Sequence, residues 1–279
     1  PPAAIAAIEH ADVATYEASP GARAELVRAF VDAGNGLLAA GYCQTEGQTQ
    51  AFANSDGQSV TGRHTSAIID GIHQTATSAG TAHAASVAIG DLDGTRVGEL
   101  AARRAINSAS PLDIKPGEYE GVLAPEAVAT VAVFLGFYGF NGKMLSEGQS
   151  FVELGEQQFD GRFQMWDDAT DPRAMGVVFD TEGTPKGHLD LVVDGVTSGV
   201  AHNRKTAKKV GVASTGNNVT GSENWGPIPT NVFVGGGDES VDELIAKVER
   251  GIYVVGGDGV ALDITLASVQ PSDFELVLE

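Results

Sequence analysis

The chain has 279 residues, and its 37 acidic and 17 basic side chains give it a net charge of −20. Hydrophobic residues make up 42% of the sequence, which is enough for a packed core, and the 36 glycines follow no fixed period, so disordered and collagen-like chains are excluded. The negative charge argues against nucleic acids and anionic membranes as direct partners, because both are bound through clustered Lys and Arg.

Cysteine usage and hydropathy bear on the compartment. Cys43 is the one cysteine, so the chain has neither an internal disulfide nor a thiolate zinc cluster. The longest apolar run, residues 127–140, is 14 residues long, whereas a membrane helix needs about 20. We therefore predict a cytoplasmic protein without a membrane-spanning helix.

The first part of the chain combines helices and strands without a regular alternation. Apolar residues recur at helical spacing over residues 21–34 and 95–108, which predicts two helices. Between them, Asp56-Gly57 separates extended segments and predicts a hairpin turn. This order of elements indicates an α+β fold. The strands are predicted at residues 37–45, 48–53, 58–75 and 81–90.

A boundary is predicted near residues 111–116, which contain two prolines. It divides the chain into an α+β domain of residues 1–112 and a sheet-rich domain of residues 113–279. Pro125 takes the position that proline prefers at a helix start. The apolar residues that follow leave no polar face, so this helix is predicted to be buried.

Elements of the second domain follow from turn and capping signals. Asp194-Gly195 predicts a second hairpin. Ser240 and Glu243 form a capping box, which predicts a helix that ends at Gly251. A short basic helix is predicted at residues 203–210, and the strands are predicted at residues 119–123, 177–180, 189–193, 196–201, 231–234, 252–255 and 260–267.

Candidate metal ligands show no specific pattern. No two histidines have the spacing that places both on one helix face, so hydrogen-bonded or exposed histidines are favoured over a metal site between strands. The acidic groups Asp91/Asp93 and Asp167/Asp168/Asp171 lack calcium-loop spacing and are predicted to lie in solvated loops. The histidines are His10, His64, His73, His83, His188 and His202.

One basic cluster is unusual in so acidic a chain. Arg204, Lys205, Lys208 and Lys209 lie within six positions and account for four of the 17 basic residues. A solvated helix face is the favoured interpretation, and contact with an acidic partner or a peptide carboxylate is the alternative. The sequence has no Gly-x-Ser-x-Gly elbow and no glycine-rich phosphate loop, which argues against a serine hydrolase or a nucleotide-binding protein.

Several short polar and glycine-containing stretches follow one another through the second half. They are Phe-Asp-Thr-Glu-Gly at 179–183, Asp194-Gly195, Arg-Lys-Thr-Ala-Lys-Lys-Val-Gly at 204–211, Ser-Thr-Gly-Asn at 214–217, Pro-Thr-Asn at 229–231 and the helix and strand of 243–254. In order and spacing they resemble the C-terminal domain of the TldD/PmbA family. Residues 53–57, Ala-Asn-Ser-Asp-Gly, resemble a hairpin of its middle domain. The resemblance implies a two-domain α+β architecture of mixed and antiparallel sheets with a few flanking helices, within a longer three-part chain.

The resemblance also implies a chemistry. The family is described as two related subunits that form a zinc metallopeptidase acting on unfolded peptides, with an older label of gyrase modulator. The helix of the metal-bearing subunit, His-Glu-x-x-x-His, falls on Pro125 to Thr130. Only Glu126 is retained, and one carboxylate cannot hold a catalytic zinc that needs about three protein ligands. The resemblance is therefore closer to the metal-free PmbA or TldE subunit.

From this resemblance we expect a non-catalytic subunit of a peptidase. It would have no catalytic residue, metal or cofactor of its own, and zinc would lie in a TldD-like partner. The alternatives are a stand-alone homodimer that binds peptides and an active metallopeptidase with unusual ligands. The residues expected to contact the peptide or partner are Arg204, Lys205, Lys208, Lys209, Ser214, Thr215, Gly216, Asn217 and Asn231.

Overall fold

The computed structural model describes residues 8–110, 115–255 and 276–277, which form three β-sheets flanked by helices. The α+β class predicted from the sequence is confirmed. The helices are α1 Val13–Tyr16, α2 Pro20–Ala33, α3 Gly94–Asn107, α4 Pro125–Phe134, α5 Gly142–Ser146, α6 Arg204–Val210, α7 Ser222–Trp225 and α8 Val241–Ile245. The strands are β1 Leu38–Ala53, β2 Ser59–Gln74, β3 Ala79–Ser86, β4 Glu120–Leu123, β5 Met165–Asp168, β6 His188–Val193, β7 Val196–Thr197, β8 Val232–Val234, β9 Gly251–Val254 and β10 Leu276–Val277.

The first sheet is an antiparallel meander in the order β1-β2-β3. The predicted hairpin is confirmed: the Asn54 N–H donates to the Gln58 carbonyl at 3.0 Å, and Gly57 adopts a φ of +83°. The two extended segments predicted before it form the single strand β1. Because β3 pairs only with residues 67–74 of β2, the rest of β1 and β2 continues as a two-stranded ribbon.

Helices α2 and α3 pack closely on one side of this sheet. Phe30 of α2, Ile69 of β2 and Ala101 of α3 belong to one buried cluster. Glycine makes the close approach possible, because a Cβ at Gly98 would lie 2.4 Å from the Phe30 carbonyl oxygen. The amphipathic pattern predicted for α3 is confirmed.

A second buried cluster lies against the four-stranded sheet, which has the order β7-β6-β5-β8. Phe140, Met165, Leu191 and Val192 are its fully buried members. Strand β5 is absent from the predicted elements, because its sequence, Met-Trp-Asp-Asp, has the acidity of a loop. The predicted turn at Asp194-Gly195 is confirmed, with φ of 50° and 76°.

Four expectations for the helices and strands of the second half are wrong. The strand predicted at residues 196–201 is limited to Val196–Thr197. Helix α4 is not buried all round: Val131 is 44% and Val133 62% exposed, because the protein covers only part of the helix surface. Residues 177–180 lead into a turn and form an isolated bridge, not a strand. Helix α8 keeps its capping box but ends at Ile245, short of the predicted end at Gly251.

The third sheet joins β4 in parallel to β9, which pairs with β10. The domain boundary predicted after residue 112 and the strand predicted at 260–267 lie outside the described residues, and the division at 112 stays a prediction. Among the described parts of the chain, no helix is long and apolar enough to cross a membrane.

The close contact between α2 and α3 makes Gly98 a sensitive position. We expect Gly98→Ala to lower the free energy of unfolding by about 1–3 kcal/mol, because the new methyl group overlaps the Phe30 backbone. Gly90→Ala is the matched control, since a Cβ there has nothing within 4 Å. Urea unfolding of both variants measures the difference, and equal stabilities would contradict this account of the packing.

Candidate functional site

A buried carboxylate lies at the centre of the candidate site. Asp167 sits in the middle of β5 and is 1% exposed. Its two oxygens accept hydrogen bonds from the Asn217 side-chain amide at 2.7 Å and from the Asn231 backbone N–H at 2.6 Å. Burial raises the pKa of the Asp167 carboxyl, and these hydrogen bonds oppose the rise. The predicted solvated loop is therefore wrong for Asp167.

The two acids near Asp167 lie closer to the surface. The Asp168 carboxylate is 3.2 Å from Nδ1 of His188, and Asp171 pairs with Arg173 at 2.8 Å. His188 also contacts Asp190 at 2.8 Å. Hydrogen bonds to Asp190 and Asp168 raise the pKa of the His188 imidazole.

The loop of residues 214–217 is held by His202 and by Asp167. Thr215 Oγ1 accepts from the His202 N–H at 2.7 Å and lies 2.6 Å from Oδ1 of Asn217. Ser214 Oγ donates to the His202 carbonyl at 3.0 Å. Gly216 has a φ of +75°, and a Cβ there would meet the Pro185 carbonyl at 2.2 Å. Packing thus requires glycine at this point of the loop.

The basic helix α6 is joined to the same loop through its cap. Asn203 caps the helix by accepting from the Thr206 N–H at 2.9 Å. Its side-chain amide also donates to Asn218 Oδ1 at 2.9 Å. Asn218 in turn donates its backbone N–H to Asp180 at 3.0 Å. The network therefore runs from Asp167 through the loop to the turn that begins at Asp180.

Lys186 places a cation beside this network. Its half-buried side chain donates to Thr230 Oγ1 at 2.9 Å. Burial lowers the pKa of the Lys186 ammonium, and the charges of Asp167 and Asp180 oppose that change. Sequence reasoning did not select Lys186, and it named Asp180 and Thr230 only as parts of the motif series. The Asp-Thr-Glu-Gly-Thr run at 180–184 was the available signal, because such composition is typical of a side-chain-capped turn.

The four basic residues of α6 have different environments. Arg204 donates to Thr184 Oγ1 at 3.1 Å, and Lys209 lies 3.1 Å from Ser146 Oγ. Lys205 and Lys208 are exposed and make neither a hydrogen bond nor an ion pair with the residues that the structure describes. These two ammonium groups are therefore free to meet an anion.

The tip of the β1–β2 ribbon packs beside this site. The Gln58 side-chain amide donates to the Gly183 carbonyl, and Arg204 approaches Gln58 Oε1 at 3.4 Å. Gly183 has a φ of +68°, and the ring of Phe52 occupies the space where a side chain would point. The hairpin predicted in the first part of the chain thus lies against the 180–184 turn of the second part.

Helix α4 carries the three positions that the family resemblance selected. Pro125 begins the helix, and the Thr130 hydroxyl donates back to the Glu126 carbonyl at 3.0 Å. The Glu126 carboxylate accepts from the Arg104 guanidinium at 2.9 Å, and the two side chains are 23% and 9% exposed. Glu126 therefore connects α4 to α3.

The donor set on α4 does not fit a zinc ion. Proline offers no metal-binding atom, the Thr130 hydroxyl is engaged, and the Glu126 carboxylate faces a guanidinium. A catalytic zinc needs about three protein ligands and an open position. Across residues 8–110 and 115–255, no three His, Cys, Asp or Glu side chains are grouped so that they could hold a metal ion.

Comparison with known proteins identifies the family. The PmbA/TldA metallopeptidase C-terminal domain matches residues 116–270, more than half of the chain. A TldD homologue from Haemophilus influenzae, named as a metalloprotease, is 30% identical over 189 residues, which are 63% of this chain and 38% of that protein. A Synechocystis metalloprotease is 31% identical over 171 residues, 59% of this chain and 37% of that protein. The chain belongs to the PmbA/TldD metallopeptidase family.

Solved structures support the same fold. TldE from Thermococcus kodakarensis superposes with a TM-score of 0.79 at 22% identity, over 93% of this chain and 62% of that one. The proposed modulator of a DNA gyrase from Thermotoga maritima gives a TM-score of 0.81 at 20% identity, over 92% and 61%. The chain thus spans less than two-fifths of the curated relatives above and about three-fifths of these solved chains.

The Asp167 carboxylate makes the loop network sensitive to pH. We expect Asn217→Ala to lower the free energy of unfolding at pH 7 by about 2–3 kcal/mol, because a buried charge loses a donor. Folding raises the pKa of the Asp167 carboxyl, so the folded state becomes less stable as pH rises through the folded-state pKa and the carboxyl loses its proton. The loss should therefore be smaller at pH 4 than at pH 7.

Urea unfolding at both pH values measures this effect. Asn224→Ala is the matched control, because Asn224 is exposed and its hydrogen bonds, with Gly221 and Lys143, use only its backbone groups. A loss of equal size at pH 4 and pH 7 would show that the Asp167 charge is not what Asn217 stabilises.

Proposed function

We propose that this chain is a TldE-type subunit of a TldD/PmbA peptidase. It holds unfolded peptides and supports a TldD-like partner that carries the zinc and performs the hydrolysis, and the cytoplasm is the proposed compartment. The observation that carries the proposal is the Glu126–Arg104 ion pair at 2.9 Å. This ion pair engages Glu126, which is the one acidic side chain retained at the position of the metal-binding helix.

The loop network supports a role in positioning. Asn217 and Asn231 are 1% and 7% exposed, so their contacts are internal. They fix the ends of β5 and β8 and the loop at 214–217 relative to one another. On helix α6, which is joined to this framework through its cap, Lys205 and Lys208 offer exposed positive charge on a protein whose net charge is −20. We assign these lysines to a peptide carboxylate or an acidic face of the partner.

An active metallopeptidase is the second candidate, and the curated relatives favour it. The proteins from Haemophilus and Synechocystis are both named as metalloproteases, at about 30% identity to this chain. In that case Glu126 would act as a general base on α4, and its pairing with Arg104 would have to open.

Glu126→Gln distinguishes the two candidates. If Glu126 is structural, the variant combined with its metal-bearing partner should retain peptidase activity within about twofold. The unfolding free energy should fall by about 1–2 kcal/mol, because Arg104 loses a charged acceptor. If Glu126 is a general base, kcat should fall by about 10²–10⁴-fold.

Peptide hydrolysis by the purified pair measures this, with each chain alone as the control. The partner is obtained by co-purification with a chain that carries His-Glu-x-x-x-His. If the chain instead purifies only as a homodimer, and that homodimer hydrolyses peptides with stoichiometric zinc, the proposal fails.

The exposed lysines of α6 give a separate test. We expect Lys208→Glu to raise the Kd for the partner or for an acidic peptide by about tenfold at low salt, because an attractive charge becomes repulsive. Lys115→Glu makes the same change of charge at an exposed position before β4 and should have little effect. Equal effects from both substitutions would indicate only a response to net charge.

A further inference from the structure

A cavity of about 400 Å³ lies between α1 and the β1–β2 ribbon. The α1 segment contributes Asp12, Tyr16 and Glu17, and the ribbon contributes Gln48, Arg63 and His64. None of these residues belongs to the Asp167 network. A volume of this size is sufficient for one or two amino-acid residues of a ligand.

The position of α1 is fixed by partly buried hydrogen bonds. The Asp12 N–H donates to Thr65 Oγ1 at 2.9 Å, which ties the start of the helix to β2. Thr15, 1% exposed, donates to Asp12 at 2.8 Å and accepts from the Ile89 N–H at 2.7 Å. The wall of the cavity is therefore formed before any ligand binds.

An aromatic ring forms part of that wall. Tyr16 is 71% exposed, although its ring lies against β1 at Gly47. A Cβ at Gly47 would be 2.2 Å from the Tyr16 ring, so only glycine permits this placement. The rest of the ring is available to a ligand.

The charges around the cavity favour a cation. Arg63 pairs with Glu9 at 2.8 Å, which neutralises both groups. Burial lowers the pKa of the His64 imidazole, which disfavours its charged form. Asp12 and Glu17 form no ion pair with any described cation. Two carboxylates beside an aromatic ring are the groups that recognise an ammonium ion.

We propose that this cavity binds a primary ammonium group of a peptide, between the Asp12 and Glu17 carboxylates and against the Tyr16 ring. That the ligand is a peptide rests on the proposed function, whereas the ammonium specificity rests on the cavity. The ammonium can come from a lysine side chain or from the peptide's amino terminus.

Calorimetric titration of the full chain with three tripeptides tests the assignment. The first has a blocked amino terminus and a central lysine, the second replaces that lysine by norleucine, and the third has norleucine and a free amino terminus. We expect the first or third peptide to bind at least fivefold more tightly than the second. Which of them does so identifies the source of the ammonium.

Variants link the binding to the cavity. Glu17→Gln and Tyr16→Leu should each weaken binding of the preferred peptide by about threefold to tenfold. Glu25→Gln, at an exposed position on α2, is the matched control and should leave it unchanged. Thermal unfolding of each variant confirms that the fold is retained.

The cavity assignment is overturned if the second peptide binds as tightly as the others, or if Glu17→Gln and Tyr16→Leu both bind like the control. Either result leaves the proposed function standing, because that is decided by activity and co-purification with the metal-bearing partner. Conversely, ammonium-dependent binding that is lost in the cavity variants stands even if no such partner exists.

Discussion

The structure of the second half depends on burying the Asp167 carboxylate within a sheet. A charge in such a place is costly unless hydrogen bonds satisfy it. The required donors come from positions 50 and 64 residues further along the chain, at Asn217 and Asn231. Satisfying one carboxylate therefore fixes where two distant loops end.

The ribbon and the ion pair on α4 link the two halves by different means. At the ribbon tip, Phe52 and Gln58 meet a turn whose glycine leaves room for them. At α4, the buried Arg104 guanidinium reaches Glu126, yet Nε of Arg104 and Oε2 of Glu126 have no hydrogen-bond partner in the described structure. A buried pair with unsatisfied atoms adds little net stability, although removing one partner leaves the other charge uncompensated and is costly. Its contribution is to align α3 with α4.

Local signals in the sequence were sufficient to predict local structure, whereas predicting the site required contacts between residues far apart in the chain. The Asp56-Gly57 turn and the Ser240–Glu243 capping box were predictable because their chemistry lies within four residues. Strand β5 was not, since Asp167 is recognisable as a buried strand residue only when Asn217 and Asn231 are in place. The motif order through 179–231 identified the family, but it did not show that these polar residues contact one another.

The exposed side of α4 could not be predicted from the helix sequence, for the same reason. An apolar helix is compatible either with complete burial or with one face turned outward, and only its neighbours decide which. Here Ala127 and Ala132 pack inward while Val131 and Val133 face out. Glu126 and Val133 are seven residues apart and share one helix face, so their different exposure depends on what packs at each end of the helix, and Arg104 meets Glu126 in the first turn. The ion pair holds the Glu126 carboxylate toward α3, which the sequence of α4 alone could not show.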